Sequence, residues 1–263
     1  MVYIEENFKE KRWVMGRRKR PFRYKTYGEG FPLVIIPGLD GITKFHADNI
    51  PEFSRHYRVI VYYLPLLAEA GKAGKDYTFE YIAADLEEVM DELDLEKAHI
   101  IGESFGGVVA QVFALDYPDR VGKMVLISSA PHFDVSLKNR LLLPIFPLVP
   151  QWLFARIHVY DVCEPHDPQW AKDTFIHEAA WADHASVVAR ARIVVDVDLR
   201  DRVNEIKAPT LLVVGGADRF TGEASQKMME LLPHGEVVEV PDGGHLCHMT
   251  HPDLFVQAVM DFL

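Results

Sequence analysis

Short runs of apolar residues recur along this chain, separated by stretches in which apolar positions return every three or four residues. The short runs read as strands: residues 32–38 (PLVIIPG), 57–64 (YRVIVYYL), 98–104 (AHIIGES), 123–129 (KMVLISS), 209–216 (PTLLVVGG) and 236–241 (EVVEVP). They are rich in Val and Ile, and Gly or Pro marks their ends. Runs that are apolar on both faces predict a parallel sheet covered on both sides. Between them, residues 78–95 place Phe79, Ile82, Leu86, Val89 and Leu93 near one stripe and carboxylates on the other, an amphipathic helix opening at Thr78. Residues 105–118 and 251–263 also read as helices. Alternation of strand and helix predicts an α/β fold: a mostly parallel central sheet, helices on both faces, and right-handed crossovers.

The alternation stops between about residues 132 and 204. There the pattern is helical, through 136–143, 151–161 and 168–203, with no clear strand. The expected organisation is a core of residues 1–131 and 205–263 carrying a helical cap, 132–204, inserted between two core strands. Within that cap, residues 141–154 (LLLPIFPLVPQWLF) are apolar but broken by Pro144, Pro147 and Pro150, which forbid a regular membrane-spanning helix. This run is expected to pack on the core and to line an apolar substrate pocket, with Trp152 and Phe154 touching the substrate.

Composition narrows the function classes. The 263 residues carry a net charge of −11, which opposes general nucleic-acid binding. Residues 9–25 depart from that average, with nine Lys or Arg and one Glu, a local charge of 9 − 1 = +8. They read as two short strands joined by a basic turn, a charged sheet edge that resists pairing with other chains, with an anion-binding or membrane-surface patch as the alternative. Cys163 and Cys247 lie too far apart for a disulfide framework or a paired CxxC site, which points to a reducing compartment. Residues 1–13 lack the apolar core of a leader, and no apolar run reaches the roughly 18–20 residues that span a bilayer. The expected location is cytoplasmic.

The chemistry concentrates around residues 102–106, GESFG. Ser104 falls where a strand ends and a helix begins. Such a serine caps the helix, or it is a nucleophile on a sharp turn whose small neighbours let the backbone pass closely. A serine hydroxyl needs a base and an orienting acid to attack at neutral pH. Asp218 follows the strand 209–216, and His245 lies in a glycine loop after the next strand. Asp134, one strand earlier, and Asp242, three residues before His245, are weaker choices for the acid. The backbone N–H groups of Leu39 and Phe105 are candidate donors to an oxyanion. Asp40, beside that loop, either satisfies its own turn, the preferred reading, or orients substrate, and Glu103 precedes the serine. His245, His248 and His251 have a spacing that invites a metal, but Gly243, Gly244 and Pro252 break the helix it would need. Neither a metal nor a cofactor is expected, and His248 and His251 read as surface or helix-start residues.

Four motifs, PGLDG, GESFGG, GGADRF and DGGHLCH, resemble in order the oxyanion loop, nucleophile elbow, acid loop and histidine loop of the α/β-hydrolases. The resemblance covers the core, and the cap is variable in that family. Pro37 stands where relatives often carry His, but the donor there is backbone. A serine at position 104 disfavours the dehalogenase and epoxide-hydrolase branches. A weaker resemblance, in residues 13–22, the cap and the C-terminal helix, is to maspardin-like proteins, a group that includes candidate binding modules. The resemblance implies a cofactor-free serine hydrolase acting on a small-molecule carboxylic ester through Ser104, Asp218 and His245. Lactonase, thioesterase and C–C hydrolase chemistry use the same groups. The alternative class is a non-catalytic binding protein on this fold.

Overall fold

The computed structural model describes residues 12–15, 21–70, 77–133, 135 and 137–263. Eight strands form one sheet: β1 (Arg12–Met15), β2 (Pro21–Tyr27), β3 (Phe31–Ile36), β4 (Tyr57–Tyr62), β5 (Ala98–Glu103), β6 (Val121–Ile127), β7 (Thr210–Gly215) and β8 (Gly235–Val240), in the order β1-β2-β4-β3-β5-β6-β7-β8. From β4 through to β8 every neighbour is parallel, and β1 and β2 join as an antiparallel pair beside β4. That pair occupies the basic segment, with β1 at the sheet edge. Its connecting residues 16–20, and residues 1–11, lie outside the described residues.

Period-two alternation sorts each central strand between two apolar layers. Leu33, Ile35, Val59, Val61, Val125 and Ile127 pack on one face, with Phe53, Phe255 and Val259. Val34, Ile36, Ile60, Tyr62, Leu126 and Leu212 pack on the other, against Leu86, Val108 and Val112. Both-face burial fails for β8. It is an edge strand, and Val237 is 48% exposed.

The helices are α1 (Ile50–Phe53), α2 (Phe79–Glu92), α3 (Phe105–Asp116), α4 (Leu137–Leu142), α5 (Gln151–Val162), α6 (Gln169–Ala179), α7 (His184–Asp196), α8 (Gly222–Met229), α9 (Cys247–Thr250) and α10 (Pro252–Phe262). Thr78 caps α2 by accepting a hydrogen bond from the Tyr81 amide at 3.2 Å. Its stripe of Phe79, Ile82, Leu86 and Val89 is buried. Asp85 on the same helix is also buried, contrary to the carboxylate face read from sequence, because the Tyr62 hydroxyl donates to it at 2.8 Å. Helix α8 has no counterpart in the sequence pattern. Helices α4 to α7 all lie between β6 and β7. The chain leaves and re-enters the sheet side by side: His132 bridges Asp198, and the Leu199 amide donates to the Pro131 carbonyl at 2.9 Å.

Candidate active site

Sheet order decides where a ligand can sit. The chain runs from β3 outward to β4, then crosses back to β5 on the other side of β3. The loops leaving β3 and β5 therefore part in opposite directions and leave a crevice at the strands' carboxyl ends. The loop after β3 carries Gly38, Leu39 and Asp40, and the turn after β5 carries Ser104.

Ser104 has φ 50° and ψ −112°, a positive φ that a residue with a side chain adopts only under constraint. The constraint comes from both flanks. The Ser104 amide donates to the Ile127 carbonyl at 2.8 Å, and the Ser129 hydroxyl donates to the Ser104 carbonyl at 2.9 Å. The turn is closed by glycines that nothing larger replaces. A Cβ on Gly102 would lie 2.5 Å from the Gly106 carbonyl oxygen, and one on Gly106 would lie 2.4 Å from that of Ile36. Helix α3 starts at Phe105, so its first amides point towards the crevice with no partner within the helix. Facing them, Gly41 (φ 72°) closes a turn onto Gly38, and the Leu39 carbonyl accepts from Arg190 Nη1 of α7 at 3.0 Å. That bond fixes the peptide plane between Leu39 and Asp40, the one that follows the plane of the Leu39 N–H. Leu39 and Phe105 border the same pocket as Ser104.

Asp218 and His245 meet across the next two strand ends. Gly215 ends β7, and a Cβ there would lie 2.3 Å from the Gly244 carbonyl oxygen. Only glycine lets the two loops approach this closely. His245 Nδ1 and Asp218 Oδ2 are 3.1 Å apart, and both side chains are buried. Asp218 Oδ1 accepts from the amides of Phe220 and Thr221 at 2.9 and 3.0 Å, and Oδ2 also accepts from the Thr221 hydroxyl at 2.5 Å. Burial pushes the Asp218 carboxyl up, but His245 and Thr221 outweigh it and hold the group well below the usual carboxylate range. Burial likewise opposes an imidazolium at His245. The Asp218 carboxylate, with smaller pulls from Glu103 and Glu164, outweighs that and raises His245 above the ordinary histidine value. Asp242 is exposed in a left-handed turn (φ 57°), and Asp134 lies outside the described residues.

One pocket holds these groups together. Ser104 and His245 share it with an apolar wall that includes Ile42, Phe45, Phe133, Val162, Phe175 and Phe220. Trp152 and Phe154 are not among its lining, contrary to the reading from sequence. On α5 the residues that reach the pocket are His158 and Val162, one turn apart. Phe154 lies one turn earlier on that stripe, beyond the pocket, against Phe146, His158 and His184. Trp152 is about 200° round the helix from Phe154 and is 57% exposed. The stretch between β6 and β7 therefore contributes Phe133 before its first helix and His158, Val162, Phe175 and Val194 from its helices. Their phase relative to the pocket is a tertiary property that the sequence does not mark.

A second polar group lies beneath the serine turn. Glu103 Oε2 accepts from His46 Nε2 at 3.2 Å and stands 3.6 Å from His248 Nε2, and the two imidazoles stack with centroids 4.6 Å apart. All three are buried, so His248 is not a surface residue. Burial pushes the Glu103 carboxyl up, but the flanking His248, His46 and His245 bring it below its ordinary value. Burial takes His248 down to about 3. Among the described residues these three offer converging metal ligands within 4.8 Å of one another. Neither imidazole has a partner on Nδ1 to orient it as a ligand. The trio is better described as a buried polar cluster around the Glu103 carboxyl. No sequence motif marks it, since His46 lies far from both partners along the chain.

The family model described as "Alpha/beta hydrolase family" matches residues 33–258. A protein of Pseudomonas syringae pv. syringae named "Putative carbamate hydrolase RutD" is 28% identical over 88% of this chain and 93% of its own length. A thermophilic esterase from Thermogutta terrifontis superposes with a TM-score of 0.85 at 23% identity, covering 96% of this chain and 97% of that one. The meta-cleavage product hydrolase CumD of Pseudomonas fluorescens superposes with a TM-score of 0.79, also at 23% identity, over 95% and 96%. The sheet order, the turn at Ser104 and these likenesses agree: the chain belongs to the alpha/beta hydrolase family.

Proposed function

We propose that this protein is a serine hydrolase that cleaves a small carbonyl substrate, a carboxylic ester or close analogue, through an acyl-enzyme. The observation that carries the reading is the buried Asp218–His245 hydrogen bond of 3.1 Å, opening into the pocket that the strained Ser104 also borders. Asp218 holds the imidazole with Nδ1 protonated, which leaves Nε2 free to accept a proton. Ser104 Oγ attacks the carbonyl carbon as His245 takes its proton. The oxyanion is held by the Leu39 and Phe105 amides. The C–O bond to the leaving group then breaks, and the proton passes from His245 to that group. Water repeats the sequence: its oxygen bonds to the acyl carbon, its proton goes to His245, and Ser104 Oγ departs and recovers that proton. In this reading residues 132–204 form a cap on a core of residues 1–131 and 205–263. Relatives named as a carbamate hydrolase and an esterase support an acyl or carbamoyl group. Lactones, thioesters and activated C–C bonds present the same electrophilic carbon.

A fluorophosphonate probe tests the reading directly. The parent should label at Ser104 and hydrolyse p-nitrophenyl esters. Ser104→Ala should lose labelling and at least about 10⁴-fold of turnover while keeping its fold. A parent that neither labels nor hydrolyses is a binding protein instead.

A further inference from the structure

Asp40 follows Leu39, and it borders the pocket from the loop that carries that candidate oxyanion donor. Its side chain is only 6% exposed. Oδ1 is buried with no hydrogen-bond partner, and Oδ2 stands 3.7 Å from His158 Nε2, beyond hydrogen-bond reach. The strong cation nearby, Arg190, directs its donors elsewhere: to the Leu39 carbonyl, the Pro65 carbonyl and the Tyr77 hydroxyl. The surrounding wall is apolar, with Ile42, Phe45 and Phe175. A buried acceptor without a donor is costly, and here it belongs to a residue that lines the pocket.

We propose that Asp40, flanked by His158, is a substrate subsite that accepts a hydrogen bond from an N–H or O–H group next to the scissile carbonyl. The substrate class is then a donor-bearing carbonyl compound, a carbamate or a hydroxy ester, rather than a plain alkyl ester. The inference rests on the serine-hydrolase reading. Leu39, Asp40 and Ser104 border the same pocket, so the Asp40 acceptor and the oxyanion donors address one ligand. Burial pushes the Asp40 carboxyl up, against smaller pulls from His158 and Arg190. A donor on the substrate would add to those pulls. A residue that merely shapes its turn would not distinguish substrates by a single donor.

The test uses two matched pairs of p-nitrophenyl substrates: glycolate against methoxyacetate, and N-methylcarbamate against N,N-dimethylcarbamate. In each pair only the first has a donor. The ratio of kcat/KM within a pair, divided by the same ratio for Asp40→Leu, measures discrimination by the site; uncatalysed hydrolysis is no reference, because the N-methylcarbamate decomposes by losing its N–H proton. The parent should favour the donor-bearing member of at least one pair by about tenfold or more, and the pair with the larger ratio tells O–H from N–H. Asp40→Leu keeps the volume and removes the acceptor, so it supplies the reference ratio. Asp40→Asn, which keeps a neutral acceptor, should lie between. A parent that labels with fluorophosphonate but shows ratios near one would overturn the subsite alone. So would variants that keep the parent ratio within about twofold. A parent that neither labels nor hydrolyses would overturn the subsite together with the hydrolase reading.

Discussion

A serine at φ 50° is held there by what surrounds it, and the surroundings of Ser104, Asp218 and His245 set separate expectations. Asp218 gathers two amides, a hydroxyl and an imidazole, whereas Asp242 faces solvent. Asp218→Asn should therefore cost about 10⁴-fold in kcat, and Asp242→Asn less than about tenfold. Steady-state kinetics on both variants decide it, and equal losses would move the acid elsewhere. The pH profile follows from His245. Its folded-state pKa is raised, so the free base needed for attack is lost as pH falls through a midpoint above the ordinary value of about 6.5. A kcat/KM profile with its acid limb below that value would contradict the assignment. Asp218 has the opposite sign: its depressed pKa stabilises the fold above the ordinary carboxylate value, and that contribution is lost as pH falls through the folded one. At this scale the sequence was most legible where chemistry is local. Ser104, Asp218 and His245 each sit in a glycine-marked turn after a strand. His46 carries no such mark, and its buried neighbours Glu103 and His248 are joined to it only by the fold.

Among the elements, α7 has a reach that its own sequence conceals. Arg190, 3% exposed, ties the helix to the Leu39 and Pro65 carbonyls and to the Tyr77 hydroxyl. Replacing it frees the Leu39–Asp40 peptide plane, which adjoins the plane that carries the Leu39 N–H. Arg190→Met should lower kcat by about tenfold or more with a smaller change in KM, because the oxyanion develops only in the transition state. Equal changes in the two parameters would make Arg190 a packing residue. The strands were readable because central parallel strands must be apolar on both faces, and β8 misled because an edge strand has only one covered side. Helix α8, GEASQKMM, opens on Gly and buries only Gly222, Ser225 and Met228, too few apolar positions to mark a stripe. The phase of α5 was unreadable for a different reason. Residues such as Trp152, Phe154, Ile157 and Val162 surround that helix, and only packing selects which of them faces the pocket.

At the scale of the whole molecule, the helical excursion between β6 and β7 is apolar on the outside as well as the inside. Leu148, Tyr160 and Trp181 are each at least 80% exposed, while Phe175 and Val162 are buried beside the pocket. Phe175→Ala should therefore shift the preferred acyl length of p-nitrophenyl esters towards longer chains, and Trp152→Ala should leave the profile where it was. Identical profiles for the parent and Phe175→Ala would remove the excursion from substrate selection. No helix among the described residues is long and apolar enough to cross a membrane. The Arg190 contacts also bear on how such a protein is remodelled. A chimera that exchanges residues 132–204 for the corresponding segment of a relative imports a new roof, but it also removes the guanidinium that satisfies two carbonyls and a phenol of the recipient. Unless the donor segment brings an arginine to that spot, the graft should lose stability and activity together, and restoring that one side chain should recover both.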